Sequence, residues 1–272
     1  DELGKVPPVD AIVHLAGKAH DTKNRSEEQV YFDVNTGLTQ KIFDYFLQSD
    51  ARTFIFFSSV KAAADSVPGD VLTEEVVPAP VGPYGESKIR AEEYILNKWS
   101  VVISQLSEKK VFILRPCMIH GPGNKGNLNL LYSVVKKGIP WPLGAYENSR
   151  SFCSIDNISY VVEQLILKKN VESGIYNVGD DETLSTNELI GLIGNSVGKK
   201  THVLKLPKGL IRSLASIGSL LHLPLNRELL SKLTENYVVS NDKIKKALGV
   251  EKMSVTARDG MMKTLSSFNN EL

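Results

Sequence analysis

Thr53-Phe-Ile-Phe-Phe-Ser-Ser59 is an unbroken aromatic and β-branched run that stops at two serines. It has no alternating polar positions, so it suits a strand covered on both faces, as in a parallel sheet. Upstream, Val9-Asp-Ala-Ile-Val-His-Leu-Ala16 is a similar short run and ends at Gly17; downstream, Val111-Phe-Ile-Leu114 repeats the pattern. A helix opened by Ser26-Glu-Glu lies between the first two runs, with Val30, Val34, Leu38, Ile42 and Phe46 at three-to-four spacing. A polar, Pro-punctuated loop from Val67 to Pro83 and a helix from Tyr84 to Gln105 separate the last two. Loops of that length in compact domains are commonly functional. Strands alternating with helices predict an α/β fold with a Rossmann-like, doubly wound parallel sheet and right-handed crossovers.

After Arg115-Pro116 the texture changes to Gly121-Pro-Gly-Asn-Lys-Gly126, a helix over Asn127–Lys137 and an extended Pro140–Gly144. The remainder is read as helix Ile155–Lys169, strand Gly174–Val178, capped helix Thr186–Val197, and helices Lys208–Leu221, Asn226–Thr234, Asp242–Leu248 and Ser254–Phe268. The expected division is a dinucleotide-binding domain of 1–120 with 151–180, N-terminally incomplete, and a smaller, mostly helical substrate lobe of 121–150 with 181–272. The chain has 272 residues, 42% of them hydrophobic and 23% charged, which is a globular mix and excludes disorder. A net charge of +1 offers no basic footprint for nucleic acid and no polybasic membrane patch, so neither nucleic acid nor membrane insertion is expected. Cys117 and Cys153 make no disulfide framework, and the five histidines show no metal-ligand spacing, so no metal is expected. His14, in an apolar strand, reads as a satisfied core residue. Trp141, between two prolines, either borders a nucleotide base or packs one lobe on the other. No apolar stretch is long enough to cross a bilayer, and no signal peptide is visible, so the protein is expected to be soluble and cytoplasmic.

The chemistry concentrates in Pro83-Tyr84-Gly85-Glu86-Ser87-Lys88. Tyr84 and Lys88 stand four apart at a helix start and share a face. A tyrosine with a pKa of about 10 is a poor base at neutral pH, and a neighbouring ammonium is expected to lower that value. Alone, this spacing is a common accident of surface helices. Ser59, at the carboxyl end of a buried strand where open α/β sheets place their ligands, supplies the context. Its hydroxyl is positioned by sequence to bond a substrate oxygen while the tyrosine exchanges a proton; a helix cap is its ordinary alternative.

With these segments the chain resembles the extended short-chain dehydrogenase/reductase family, in its NAD-dependent nucleotide-sugar epimerase/dehydratase branch. The matching stretches are His14-Leu-Ala-Gly17, Asp33-Val-Asn-Thr-Gly37, Phe54–Ser59, Pro83–Lys88, Arg115-Pro116 with Gly121-Pro-Gly123, and Arg150-Ser-Phe152 with Asp156-Asn157. The resemblance implies a catalytic set of Ser59, Tyr84 and Lys88. It implies cofactor contacts, to NAD or NADP, from Leu15, Ala16, Gly17, Asn35, Ser58, Tyr84, Lys88 and Pro116. For a nucleotide-sugar substrate, UDP-linked by the same resemblance, it implies Ser59, Lys61, Asn127 and Arg150. Arginine suits that role because its planar fork matches phosphate oxygens; a surface ion pair is the ordinary reading of Arg150. The resemblance also implies a homodimer through the helices Ser26–Gln48 and Tyr84–Gln105.

Two departures shape the expectation. No Gly-x-x-Gly-x-x-Gly precedes Val9, although the family begins with one, so an upstream segment of some tens of residues carrying it is expected. Val60 and Lys61 stand where the 4,6-dehydratases of this branch carry an acid pair, which argues against dehydration. His120 stands where relatives have tyrosine. The Ser-Ser-Val-Lys and Pro-Gly-Asn-Lys-Gly-Asn stretches look most like the subgroup acting at C4 of UDP-N-acetyl-6-deoxyhexosamines. The expected activity is thus NAD(P)-dependent oxidation or reduction at a sugar C4, in surface polysaccharide biosynthesis. C4 epimerisation with the same residues and a silent nucleotide- or sugar-binding protein of the same fold are the alternatives.

Overall fold

The structure, a computed structural model, describes residues 7–19, 27–106, 108–124, 126–220 and 226–268. The helix start at Ser26, His20, Lys125 and His222, and the expected helix end at Leu221, lie outside them. The chain forms two compact units: Asp1–Cys117 with Asn157–Gly179 and Val239–Met253, and Met118–Asp156 with Asp180–Val238 and Ser254–Leu272.

In the first unit β1 (Ala11–His14), β2 (Thr53–Phe57), β3 (Lys110–Pro116) and β6 (Gly174–Val178) form one parallel sheet in the order β1-β2-β3-β6. Phe54, Phe56, Val111 and Ile113 enter one core, and Ile55, Phe112 and Leu114 between them are buried outside it, which is why the β2 and β3 runs are continuously apolar. Phe54 and Phe56 of β2, with Val111 and Ile113 of β3, pack against Phe43 and Phe46 of α2 (Leu38–Gln48) and Ile95 and Trp99 of α4 (Gly82–Val102). Pro83 enters the first turn of α4, where a missing N–H costs nothing. The helix ahead of α2 is not regular: α1 (Glu28–Tyr31) passes into a π-helical turn, Phe32–Gly37. Sequence alone also carried no sign that Val239–Met253 return to the sheet unit. There α10 (Asp242–Leu248) packs on β6, Asn241 donates to the Gly179 carbonyl at 3.0 Å, and Lys168 to the Leu248 carbonyl at 2.6 Å.

The second unit holds two short parallel strands, β4 (Met118–His120) and β5 (Phe152–Ser154). Around its core lie α5 (Asn127–Lys136), α7 (Thr186–Ser196), α8 (Lys208–Leu220), α9 (Arg227–Thr234) and α11 (Ala257–Ser267). Ser185 and Glu188 close a reciprocal capping box on α7, as the sequence predicts. Trp141 is a buried member of this core, and its indole donates to Asn187 at 3.2 Å. The remaining elements are α3 (Val60–Ala63) and α6 (Ile155–Leu167). No helix among the described residues is long and apolar enough to cross a membrane.

Candidate active site

The carboxyl edges of β1 and β2 and the first turns of α4 bring Gly17, Asn35, Ser59, Tyr84 and Lys88 together. Lys88 is buried, donates to the Phe57 carbonyl at 2.8 Å and lies 4.9 Å from the centre of the Phe56 ring. A Cβ on Gly17 would stand 2.9 Å from the Lys88 ammonium and 3.1 Å from Asn35 Oδ1, so the bare glycine is what lets both groups reach the end of β1. Burial lowers the Lys88 pKa to about 8, against the opposing pull of Glu92 one turn along the helix.

Asn35 comes from the π-helical turn and is fully buried. Its Oδ1 accepts from Lys18 N at 2.7 Å, and its Nδ2 donates to the Lys18 carbonyl at 3.0 Å and to Ser87 Oγ at 2.9 Å. Ser87 Oγ in turn donates to the Tyr84 carbonyl at 2.9 Å, and Thr36 Oγ1 to the Ser87 carbonyl at 2.8 Å. Two successive residues of the π turn thus tie the chain after β1 to the turn that carries Tyr84. Widened turns of this kind are frequent at functional sites because they redirect a side chain without ending the helix.

Ser59 takes the capping role its sequence allowed and also meets Tyr84. It caps α3, accepting from Lys61 N at 3.2 Å, and its side chain bonds Tyr84. Gly85 makes that pairing possible, since a Cβ there would stand 2.6 Å from the Lys61 backbone carbonyl. The Tyr84 pKa moves up, not down as expected: burial raises it, and the Ser59 hydrogen bond opposes the rise in part. Lys88 does not supply the expected depression because its ammonium is turned to the Phe57 carbonyl and its own charge is disfavoured by the same burial.

Other expected site residues have different surroundings. The Ser58 hydroxyl is buried and donates to Glu92 Oε1, so it faces the core. The Lys61 ammonium is held by the bend just after α3, 2.6 Å from the Asp65 carbonyl and 2.9 Å from its Oδ1. Pro116 is buried at the end of β3, while Leu15, Ala16 and Gly17 are exposed. Asn127 and Arg150 belong to the second unit. Asn127, exposed, opens α5; Arg150 donates to the Lys232 carbonyl and lies 3.9 Å from Glu235.

Sequence reading missed the buried Glu92–Arg115 pair. Arg115 Nε lies 3.0 Å and 3.1 Å from the two Glu92 oxygens, and Nη2 lies 2.5 Å from Oε2. The signal was present as a lone arginine in an apolar strand and an acid four residues past Lys88. The His14 reading as a core residue holds. Thr39 Oγ1 gives its only proton to the Asn35 carbonyl at 2.6 Å, so at 2.8 Å it accepts from His14 Nε2, and burial lowers the His14 pKa to about 4. His120, in the second unit, is likewise buried, with Nδ1 at 2.9 Å from Thr264 Oγ1 and Nε2 at 3.5 Å from Asp180.

Residues 1–179 match the family model described as the NAD dependent epimerase/dehydratase family. The chain is 30% identical over 261 residues to a UDP-glucose 4-epimerase of Vibrio cholerae, covering 94% of this chain and 76% of that one. It is 29% identical to an N-acetyl-alpha-D-glucosaminyl-diphospho-ditrans,octacis-undecaprenol 4-epimerase of Escherichia coli O157:H7, covering 91% and 70%. The fold matches a UDP-glucuronic acid 4-epimerase from Bacillus cereus in complex with NAD, with TM-score 0.71, 18% identity and coverage of 99% of this chain and 79% of that one. The chain belongs to the NAD dependent epimerase/dehydratase family and is an enzyme of that family.

The residues present fit the dinucleotide that the family implies. Leu15 is 63% exposed directly after the buried His14 that ends β1, an apolar surface at the edge where such a cofactor lies. Gly17 leaves open the space beside a lysine ammonium that any side chain would fill.

Proposed function

We propose that the enzyme epimerises C4 of a nucleotide-linked hexose or N-acetylhexosamine, with UDP as the nucleotide and NAD(P) as cofactor. The observation that carries this reading is the pairing of Ser59 with Tyr84 one helical turn from Lys88, at the end of the central parallel strands. When bound, the nicotinamide supplies reversible acceptance of the hydride on the sugar's C4. Tyr84 takes the proton of the C4 hydroxyl and returns it to the same oxygen. Ser59 donates a hydrogen bond to that oxygen and holds it against the tyrosine. Lys88, a cation below pH of about 8, holds the ribose hydroxyls. Leu15, Ala16, Gly17, Asn35 and Pro116 shape the cofactor's bed. Asn127 and Arg150 take the nucleotide diphosphate, for which Arg150 exchanges its Lys232 and Glu235 contacts.

Epimerisation is favoured over net reduction because relatives matching nearly the whole chain are named as 4-epimerases. Val60, buried, and Lys61, paired with Asp65, supply no acid pair for dehydration. The test follows nicotinamide absorbance and resolves products by chromatography with UDP-hexoses, UDP-N-acetylhexosamines and their 4-keto-6-deoxy forms. A C4 epimer formed with no net cofactor change is expected; absorbance lost in step with a new sugar would replace epimerase with ketoreductase. Tyr84→Phe should lower turnover by roughly 10²–10⁴-fold while cofactor still binds. Near-normal turnover would remove Tyr84 from the reaction.

A further inference from the structure

Between Glu188 and Glu228 the chain has no acidic residue. Two cations of this stretch, Arg212 and Arg227, come together on a cavity of about 380 Å³ in the second unit. Ser216 of α8 and Ser231 and Thr234 of α9 complete its polar lining, Tyr146 and Leu230 are its apolar lining, and no carboxylate belongs to it.

The cavity is built by the helices themselves. Arg212 and Ser216, four apart, share a face of α8. At about 100° per residue, Arg227, Leu230, Ser231 and Thr234 share a face of α9. The Ser216 hydroxyl gives its proton to the Arg212 carbonyl at 2.7 Å, so it accepts from Arg227 Nε at 2.9 Å. Ser219 Oγ donates to the Ala215 carbonyl at 3.0 Å and accepts from Arg227 N at 3.0 Å. Arg227 is thus fixed at backbone and side chain, with both terminal nitrogens left for a ligand. Neither guanidinium is ion-paired with a described residue. Ser231, exposed, adds a hydroxyl donor, whereas the Thr234 hydroxyl gives its proton to the Leu230 carbonyl at 2.8 Å and presents lone pairs. The Lys208 ammonium, 5.4 Å from the centre of the Tyr146 ring, places a third positive charge beside the lining.

Two planar forks and a hydroxyl donor match the oxygens of a phosphoryl group. The volume falls in the range of small-molecule sites, roughly 300–1,000 Å³, so a phosphoryl group on an organic carrier fits better than a bare ion. Arg150 and Asn127 do not line the cavity. Arg150 bonds the Lys232 carbonyl, and Lys232 falls on another face of α9. We infer that the α8–α9 cavity is a second phosphoryl site, separate from the positions proposed for the nucleotide diphosphate, and that it takes a small phosphate monoester, a glycosyl phosphate or a nucleoside monophosphate. The inference stands whichever reaction the enzyme carries out.

The test is isothermal titration calorimetry of the full chain with glucose 1-phosphate, UMP and inorganic phosphate, and with glucose and uridine as uncharged controls. At least one ester should bind more tightly than inorganic phosphate and lose affinity in high salt, and the controls should give no heat. The tighter ester identifies the carrier. Arg212→Gln/Arg227→Gln should weaken that binding about 100-fold, roughly tenfold for each guanidinium removed, with an unchanged thermal melt because both side chains are exposed. Ser231→Asp, which sets a carboxylate in the lining, should weaken it as well. Arg150→Gln should leave it unaltered. No binding by the natural chain, binding of inorganic phosphate as tight as that of both esters, or affinity indifferent to Arg212→Gln/Arg227→Gln overturns the inference. Loss of ester binding on Arg150→Gln assigns the ester to the nucleotide site and overturns it too.

Discussion

Replacing Glu92 by Gln tests how the floor of the site is held. The Arg115 and Glu92 side chains are 2% and 1% exposed, and Glu92 also accepts from the Ser58 hydroxyl. Arg115 Nη1 has no hydrogen-bond partner among the described residues, so Glu92 is the carboxylate bonded to the guanidinium, while Glu74 attracts it without a hydrogen bond. Glutamine keeps the shape and an oxygen for Ser58 but leaves the buried cation without a bonded counter-charge. Breaking such a pair costs about 3–5 kcal/mol, whereas replacing both partners by apolar residues is neutral or stabilising. Glu92→Gln and Arg115→Met should therefore each lose about 3–5 kcal/mol, and Glu92→Leu/Arg115→Met should recover most of it. The assay is urea unfolding in a Trp141→Phe background. Of the two tryptophans, Trp99 then reports from α4, the helix that carries Glu92, without signal from the second unit. Single variants costing under about 1 kcal/mol, or a double variant as costly as the sum of the singles, would refute the argument that charge compensation holds this floor together.

The other tests follow from individual groups. His14 has a folded pKa of about 4 against 6.5 in the open chain, so the unfolded state binds the proton first. Its contribution is complete above pH 6.5 and is lost as pH falls toward 4, on the order of 3 kcal/mol. Urea midpoints across that window should slope for the parent and flatten for His14→Gln; parallel profiles would count against a buried neutral His14. Gly17→Ala puts a methyl 2.9 Å from the end of the flexible Lys88 side chain. The melting temperature should barely move, while turnover falls about 10²-fold from the displaced ammonium; unchanged turnover would show that Lys88 need not reach the end of β1. Gly85→Ala meets the Lys61 backbone at 2.6 Å, which cannot swing aside. It should cost about 1–3 kcal/mol in urea unfolding, and unaltered stability would mean that α3 has room to move.

What was legible followed from residues whose partners are close in sequence or whose environment is uniform. The β2 and β3 runs announced themselves because both faces are covered, and Ser185 with Glu188 because a cap is read over three residues. The group of Ser59, Tyr84 and Lys88 was legible as motif and spacing, and the structure places these residues at one sheet edge. What stayed hidden depends on distant packing. Glu92 and Arg115 are 23 residues apart, and nothing local says that they meet. β4 and β5 have three residues each, too few for a period to show. The direction of the Tyr84 pKa turned on how deeply the phenol is desolvated and on which way Lys88 points, neither of which a four-residue spacing contains.

The π-helical turn makes the site sensitive to chain length as well as to residue identity. A regular helix through 28–48 would advance each residue by about 100°, so removing Thr36 or Gly37 would swing everything before the gap by that angle against the Phe43 and Phe46 stripe. Asn35 would then face away from Ser87 and from the chain after β1, although every side chain it needs would still be encoded. A single-codon deletion there is the smallest genetic event that dismantles the brace. Variant libraries built from substitutions alone would never sample it.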